Sequence, residues 1–218
     1  MTATPPAAHR ILELLQSRRS VRAFTTAPVP HEVLERLLQA ATSAPSATNR
    51  QPWRFYVVTG DARARIAARV RAQVEEMTAI VARGHHKDDF GRYGDFFHEP
   101  LEAAAAIIVP TYRTHPDLIA QFIRSGGEDP ARFDTSAAMQ SELCSTAAAC
   151  MALLVQAEAE GLGACWMAGP MVAREGIEAD LDIRPPFRML GAISLGWPAE
   201  APQPKGRKPL DAVVRWVE

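Results

Sequence analysis

The chain has 218 residues, 47% of them apolar, and a formal charge of -1. That length suits one compact domain with a real core, and the neutral balance speaks against a nucleic-acid partner, which would call for a basic excess. The longest apolar run, residues 143–157, is too short to cross a bilayer, which takes about 20 residues, and the opening MTATPPAAH lacks the basic and apolar regions of a secretion signal, so no membrane is expected either.

Residues 1–8 read as a flexible lead-in and 9–218 as a single domain. Ile11, Leu14 and Leu15 recur at helical spacing and carry a short helix into SRRSVRAF, residues 17–24, where three arginines fall within five positions. Pro30 can occupy the first position of a second helix, with Val33, Leu34, Leu37, Leu38 and Ala41 as its apolar stripe and an end near Pro45. APSATNRQPW is a loop by composition, and RFYVVTG is a strand ended by Gly60. Asp61 is a cap for the next helix, whose Arg63, Arg65, Arg69, Arg71, Glu75 and Glu76 read as a solvated face.

From 83 to 100 regularity breaks down in a mixture of glycines, aromatics and charges. A connection of that length has a job or is disordered. AIIVPTYR reads as a buried strand, although Pro110 argues against a central ladder position. A short helix over 116–124 and an irregular SGGEDPARF precede the longest helical pattern, 134–160, rich in small residues that allow close helix packing. Gly161 is its natural C-cap. GACWMAG then reads as a strand, 170–181 as a helix, RMLGAISLGWP as a strand, QPKGRKP as a basic loop and LDAVVRWV as a last strand. Strands alternating with helices place the chain in the α+β or α/β class. Cys144, Cys150 and Cys165 show no CxxC spacing and fit reduced thiols in a cytoplasmic protein, with Cys144 and Cys150 as small core residues.

Arginine makes forked, charge-assisted hydrogen bonds to phosphate. Arg18, Arg19 and Ser20 offer several donors at a helix-to-loop transition, and Lys205, Arg207 and Lys208 form a second basic group far away in sequence. The two groups either converge on one anion or are unrelated surface patches; spacing alone favours the patches. No metal site is expected: His85 and His86 are adjacent rather than one helical turn apart, and Asp88 and Asp89 read as solvated. No Gly-rich dinucleotide fingerprint is present.

RRSVRAF, APSATNRQPWRFYVVTG, GLGACWMAG, LGAISLGWP and RKPLDAVVRW, in this order and spacing, resemble the nitroreductase family of FMN-dependent flavoproteins over residues 11–216. The resemblance implies an α+β three-layer fold, with a mostly antiparallel sheet flanked by helices, in an intertwined homodimer. It assigns Arg18, Arg19 and Ser20 to the FMN phosphate and ribityl chain, Arg22 to the pyrimidine edge of the ring, and Lys205 and Arg207 to further phosphate contacts, which reverses the preference for unrelated patches. Pro45, Ser46, Ala47 and Asn49 would approach the flavin from the partner subunit, and Met167, Ala168 and Gly169 would lie along the ring, with Ala168 where relatives often carry an acid. The small-residue helix and the apolar tail Leu210, Val213, Val214 and Trp216 point to the same dimer. The implied activity is reduction of nitroaromatic, quinone or enone acceptors, small planar molecules, by NADH or NADPH in a ping-pong cycle, with no catalytic side chain because the flavin carries the chemistry. Two alternatives stand beside it: a specialised relative that dehalogenates an aromatic or fragments FMN, and a non-enzymatic flavin- or deazaflavin-binding module. Fragmenting relatives tend to carry an acid at the position of Ser20, which speaks against that branch. The stretch 83–134 is where relatives differ; its Phe90, Tyr93, Phe96 and Phe97 suggest a mobile lid that selects flat acceptors.

Overall fold

In the computed structural model, which describes residues 7–84, 87–135, 139–200, 202–203 and 205–217, the elements run α1 (Ala7–Ser17), α2 (His31–Thr42), β1 (Trp53–Val58), α3 (Gly60–Val81), α4 (Lys87–Ala103), β2 (Ala106–Arg113), α5 (Leu118–Ser125), α6 (Ser141–Ala159), β3 (Gly163–Met167), α7 (Arg174–Asp180), β4 (Phe187–Met189) and β5 (Ala192–Gly196). Every pairing among these strands is antiparallel, in the order β1-β2-β5-β3, with β4 added to β2. Side chains alternate across the sheet. Ile107, Val109, Cys165, Met167 and Ala192 enter one core with Ile66, Val70, Leu101 and Ile177 from α3, α4 and α7. Ala106, Ile108, Ala164, Ile193 and Leu195 enter the other with Leu34, Leu37, Ala149, Cys150 and Leu153 from α2 and α6. The result is a three-layer α+β fold, as the sequence leads one to expect.

Pro110 overturns one expectation, because β2 is central and pairs on both sides. The register against β2 slips by one residue between Met189 and Ile193. Pro110 lies opposite that bulge: its carbonyl accepts from Leu190 N at 2.8 Å, and its missing N–H faces the break in the ladder.

The break over 83–100 is also corrected, since most of it is α4. Its Phe90 and Phe97 pack on the core. Gly94 provides closeness, not mobility: a Cβ there would meet Val74 Cγ1 of α3 at 2.7 Å. His85 and His86 lie outside the described residues. Asp61 does not cap α3; Thr59 holds the N-cap position, and no side chain there caps the helix. Nor is α3 merely solvated, because Arg63 donates to the Leu101 and Glu102 carbonyls, Arg69 pairs with Asp180 and Arg71 with Glu102.

Within 134–160, helix α6 starts only at Ser141, after Gln140 in the left-handed region at φ 49°. Gly161, at φ 76°, ends the helix as expected, with Leu162 N returning to Ala157 O. Cys150 is buried and its thiol is pushed up to about 12, whereas Cys144 is exposed and is not a core residue. The last expected strand is a 3-10 turn, Leu210–Ala212, followed by a largely exposed tail. A strand needs an edge to pair with, and this tail meets none among the described residues. No helix among the described residues is long and apolar enough to cross a membrane.

Candidate functional site

The arginine segment is held by an edge strand and a returning loop. α1 ends at Ser17, and the chain then bridges β3 in parallel at Ser20 and Ala164, with Val21 N donating to Ala164 O at 3.1 Å. Gly163 permits this approach, since a Cβ there would lie 2.6–2.9 Å from the Val21 side chain. Further along, Thr25 N donates to Trp197 O at 2.8 Å and Ala199 N to Ala23 O at 3.0 Å. The segment therefore also pairs with the chain leaving β5, and that chain leads directly into the second basic group.

The two groups accordingly meet. Arg18, Arg19, Ser20, Arg22, Pro202, Gln203, Lys205 and Arg207 line one cavity of about 350 Å³. Their cations have no carboxylate partner among the described residues. Arg19 donates through Nη1 to the Gln16 and Arg18 carbonyls, Arg22 to Ser20 O at 3.4 Å, and Arg207 to Lys205 O at 3.2 Å. Arg18 Nε is buried with no hydrogen-bond partner. Buried donors are normally satisfied, so an unmet guanidinium N–H among five other cation-bearing or hydroxyl side chains calls for an oxyanion. Beneath them, burial raises the Cys165 thiol, an effect opposed by Arg22, Ser20 and Arg18. Pro202, Gln203 and Cys165 were not picked out from the sequence; only their spacing from Lys205 or their place in GACWMAG could have marked them.

Lys208 does not line this cavity, nor do Pro45, Ser46, Ala47 and Asn49. Those four stand between α2 and β1, against the start of α6, where Ala47 N donates to Ser145 Oγ at 3.3 Å and Gln51 N to Ser46 Oγ at 2.9 Å. Thr48, Asn49 and Gln51 all have positive φ, and Asn49 Oδ1 accepts from Gln51 Nε2 at 3.2 Å, so the turn is held by its own side chains. Met167 ends the same β3 that seats Ser20, and Ala168 and Gly169 follow it. Met167 is buried, Ala168 is exposed, and a Cβ on Gly169 would stand 2.3 Å from the Phe97 ring. Phe97 is in turn held edge-on by Phe90 and Tyr93, with centroids at 6.3 and 5.1 Å. α4 is thus a wall behind residues 167–169. Trp53 packs against the core. Among the described residues no group of three or more His, Cys, Asp or Glu side chains could hold a metal ion.

The profile of the nitroreductase family matches residues 15–197. A Thermus thermophilus protein named NADH dehydrogenase is 33% identical over 208 residues, 91% of this chain and 92% of its own. Chloronitrobenzene nitroreductase of Comamonas testosteroni is 37% identical over 95 residues, 44% of this chain and 40% of its own. Among solved structures, a BluB-like flavoprotein from Clostridium difficile superposes with a TM-score of 0.80 at 20% identity, covering 95% of this chain and 99% of that one.

Proposed function

Because the chain belongs to the nitroreductase family, we propose that it is an FMN-dependent oxidoreductase that takes electrons from NADH or NADPH and passes them to a flat acceptor such as a nitroaromatic, quinone or enone. The observation that carries this reading is the cavity in which Arg18, Arg19, Ser20, Arg22, Lys205 and Arg207 converge around an unmet buried N–H. Its donors fit a phosphate monoester: guanidinium forks and an ammonium supply charge, and Ser20 adds a hydroxyl. Arg18, Arg19, Ser20, Lys205 and Arg207 would hold the FMN phosphate. Arg22 would stand at the pyrimidine edge of the ring, where a fixed cation stabilises negative charge. Bound there, FMN would supply hydride transfer between donor and acceptor in two alternating half-reactions. No side chain of this chain need act as acid or base; its task is to orient the ring and to keep residues 167–169 at a fixed height against it, with Phe97 behind them.

The chain would work as an intertwined homodimer, in which Pro45, Ser46, Ala47 and Asn49 complete the partner's site. In support, these residues lie away from the arginine cavity of their own chain, and apolar side chains stand exposed: Leu12 on α1, Met151 on α6, and Leu210, Val213 and Trp216 on the tail, Trp216 at 82%. Covering each large apolar side chain is worth about 1.5–3 kcal/mol. Deleting everything after Pro209 should yield monomer without flavin, and a yellow monomer by sedimentation would contradict the assignment. Acceptor choice would lie with 83–134, where Tyr93 and Phe96 are exposed on α4; substituting both by alanine should reorder acceptors by kcat/KM without releasing flavin. Three free thiols suit a reducing compartment such as the cytoplasm.

The deciding experiment is the visible spectrum of the purified protein and its bleaching by NADH or NADPH under nitrogen, followed by air. A yellow protein that bleaches and recovers unchanged flavin supports the reading. A yellow protein that neither donor bleaches would make it a binding module, and loss of flavin on re-aeration would make it a fragmenting enzyme.

A further inference from the structure

Gly169 lacks a side chain for a reason that lies outside its own backbone. It opens the 3-10 turn Gly169–Ala173 and is not among the glycines with positive φ, so its conformation is open to any residue. What forbids a side chain is Phe97. A Cβ on Gly169 would stand 2.6 Å from Phe97 Cγ and 3.0 Å from Cε1, and nearer still to Cδ1. The phenyl ring fills the place of the side chain that residue 169 lacks. Resting on the FMN reading, we propose that Phe97 is a positioning residue that sets the reduction potential of the bound flavin, by fixing how far the backbone at 168–169 stands from the cofactor.

Three features carry this. First, the phenyl ring is boxed in. Phe90 and Tyr93 meet it edge-on, and it packs on the core beside Met167 and Ala173. Second, α4 is tied to α3 on both sides of residue 97. On one side Gly94 leaves room for Val74, where a Cβ would come within 2.7 Å of Cγ1. On the other, Glu102 takes the Arg71 fork and His98 Nδ1 at 2.9 Å, and Arg63 donates to the Leu101 and Glu102 carbonyls. His98 itself is buried, at 7% exposure. Third, the turn is open on its far side. Met167 is paired with Ala192 in the sheet, whereas Ala168 is exposed and its carbonyl accepts from Met171 N at 2.9 Å. A change in the width of the support therefore moves the turn and spares the strand. Reduction places negative charge on a flavin, and a backbone dipole held nearer or farther stabilises that charge more or less.

The test reads the midpoint potential of the FMN-loaded protein by equilibration with a reference dye, with Tm from circular dichroism beside it. Phe97→Leu narrows the support and Gly169→Ala widens it. Each should shift the balance of oxidised and reduced flavin by about tenfold, about 30 mV for a two-electron couple, and the two shifts should have opposite signs. Combining Phe97→Leu with Gly169→Ala should return the balance to within about threefold of the parent. Should Gly169→Ala fail to fold, Phe97→Trp widens the support from the other side and takes its place. Leu37→Ala, a truncation in the opposite core, should lower Tm and leave the potential where it is. Shifts of the same sign, a double variant that stays displaced, or an equal shift in Leu37→Ala would each overturn the proposal. An unchanged potential in Phe97→Leu with a lowered Tm makes Phe97 a packing residue alone, and leaves the FMN reading standing. A parent protein that takes up no FMN sinks that reading and this proposal with it.

Discussion

Two arginine-rich regions of this chain use the same side chain in opposite ways. On α3, Arg69 makes a fork to Asp180 at 2.6 and 2.7 Å, Arg71 one to Glu102 at 2.8 and 2.5 Å, and Arg63 binds the carbonyls at the end of α4. These guanidiniums are fasteners between elements. Their effect shows on the partners, since Arg71 holds the Glu102 carboxyl below its ordinary range and Arg69 does the same for Asp180. Around the cavity, Arg19, Arg22 and Arg207 meet only carbonyls of nearby residues, Arg18 Nε meets no partner, and no acid among the described residues neutralises them. The count of positive charges is similar in the two places. What separates a fastener from a ligand site is whether the fork is already filled.

The strongest attack on that distinction removes cations from each side. Arg18→Ala with Arg207→Ala should leave folded protein that binds FMN at least about 100-fold more weakly, since each charge-assisted bond is worth about 1.5–3 kcal/mol. Equilibrium dialysis with circular dichroism as the folding control would measure this. Stoichiometric flavin in the double variant would remove the phosphate assignment.

An indirect blow should be milder. Gly163→Ala places a methyl against Val21 and should lift the arginine segment from β3, weakening FMN by about tenfold. Adding Val21→Ala should restore much of the loss, because the two side chains then share the space. No recovery in the double variant would mean that the segment is not seated by this contact.

On the other side of the comparison, Glu102→Gln should leave FMN affinity unchanged while lowering Tm by ~2–4 °C, because it breaks the Arg71 fork and the contact with His98 Nδ1 at 2.9 Å. A fall in FMN affinity without a fall in Tm would erase the distinction between the two regions.

The smallest effect is a pH dependence. The Arg36 fork, helped by Gln156, lowers the Glu160 carboxyl from 4.5 to about 2. A carboxyl depressed in the folded state stabilises it above the unfolded value and loses that contribution as pH falls toward the folded one. The slope of Tm against pH between 4.5 and about 2 should therefore be shallower in Glu160→Gln than in the parent. Equal slopes would mean that this exposed fork adds nothing.

Much of the fold was legible because burial writes periodicity into sequence. The stripe Leu34, Leu37 and Ala41 marked α2, and apolar runs marked β2 and β5. α4 escaped because its signals conflict. Pro100 and Gly94 are helix breakers by propensity, yet Pro100 sits in the last turns and Gly94 is needed where Val74 comes close. The tail after residue 209 was misread for the opposite reason: it has the apolar content of a strand but no edge to pair with among the described residues.

The chemistry of the candidate site was likewise present in residue types. A hydroxyl among three arginines, and a second basic group beyond Gly196, state an affinity for anions through charge and donor geometry alone. Sequence could not say whether the two groups meet, because they stand far apart along the chain and covalent spacing carries no information about that distance. The meeting was decided by backbone pairing: Ser20 on Ala164 and Phe24 on Pro198 bring both groups to one edge of the sheet. Nor could composition distinguish Arg18 from Arg69. That depended on where Asp180 and Glu102 come to lie, and on the absence of an acid beside Arg18 among the described residues. A guanidinium's role follows from its neighbours, and only the folded chain supplies them.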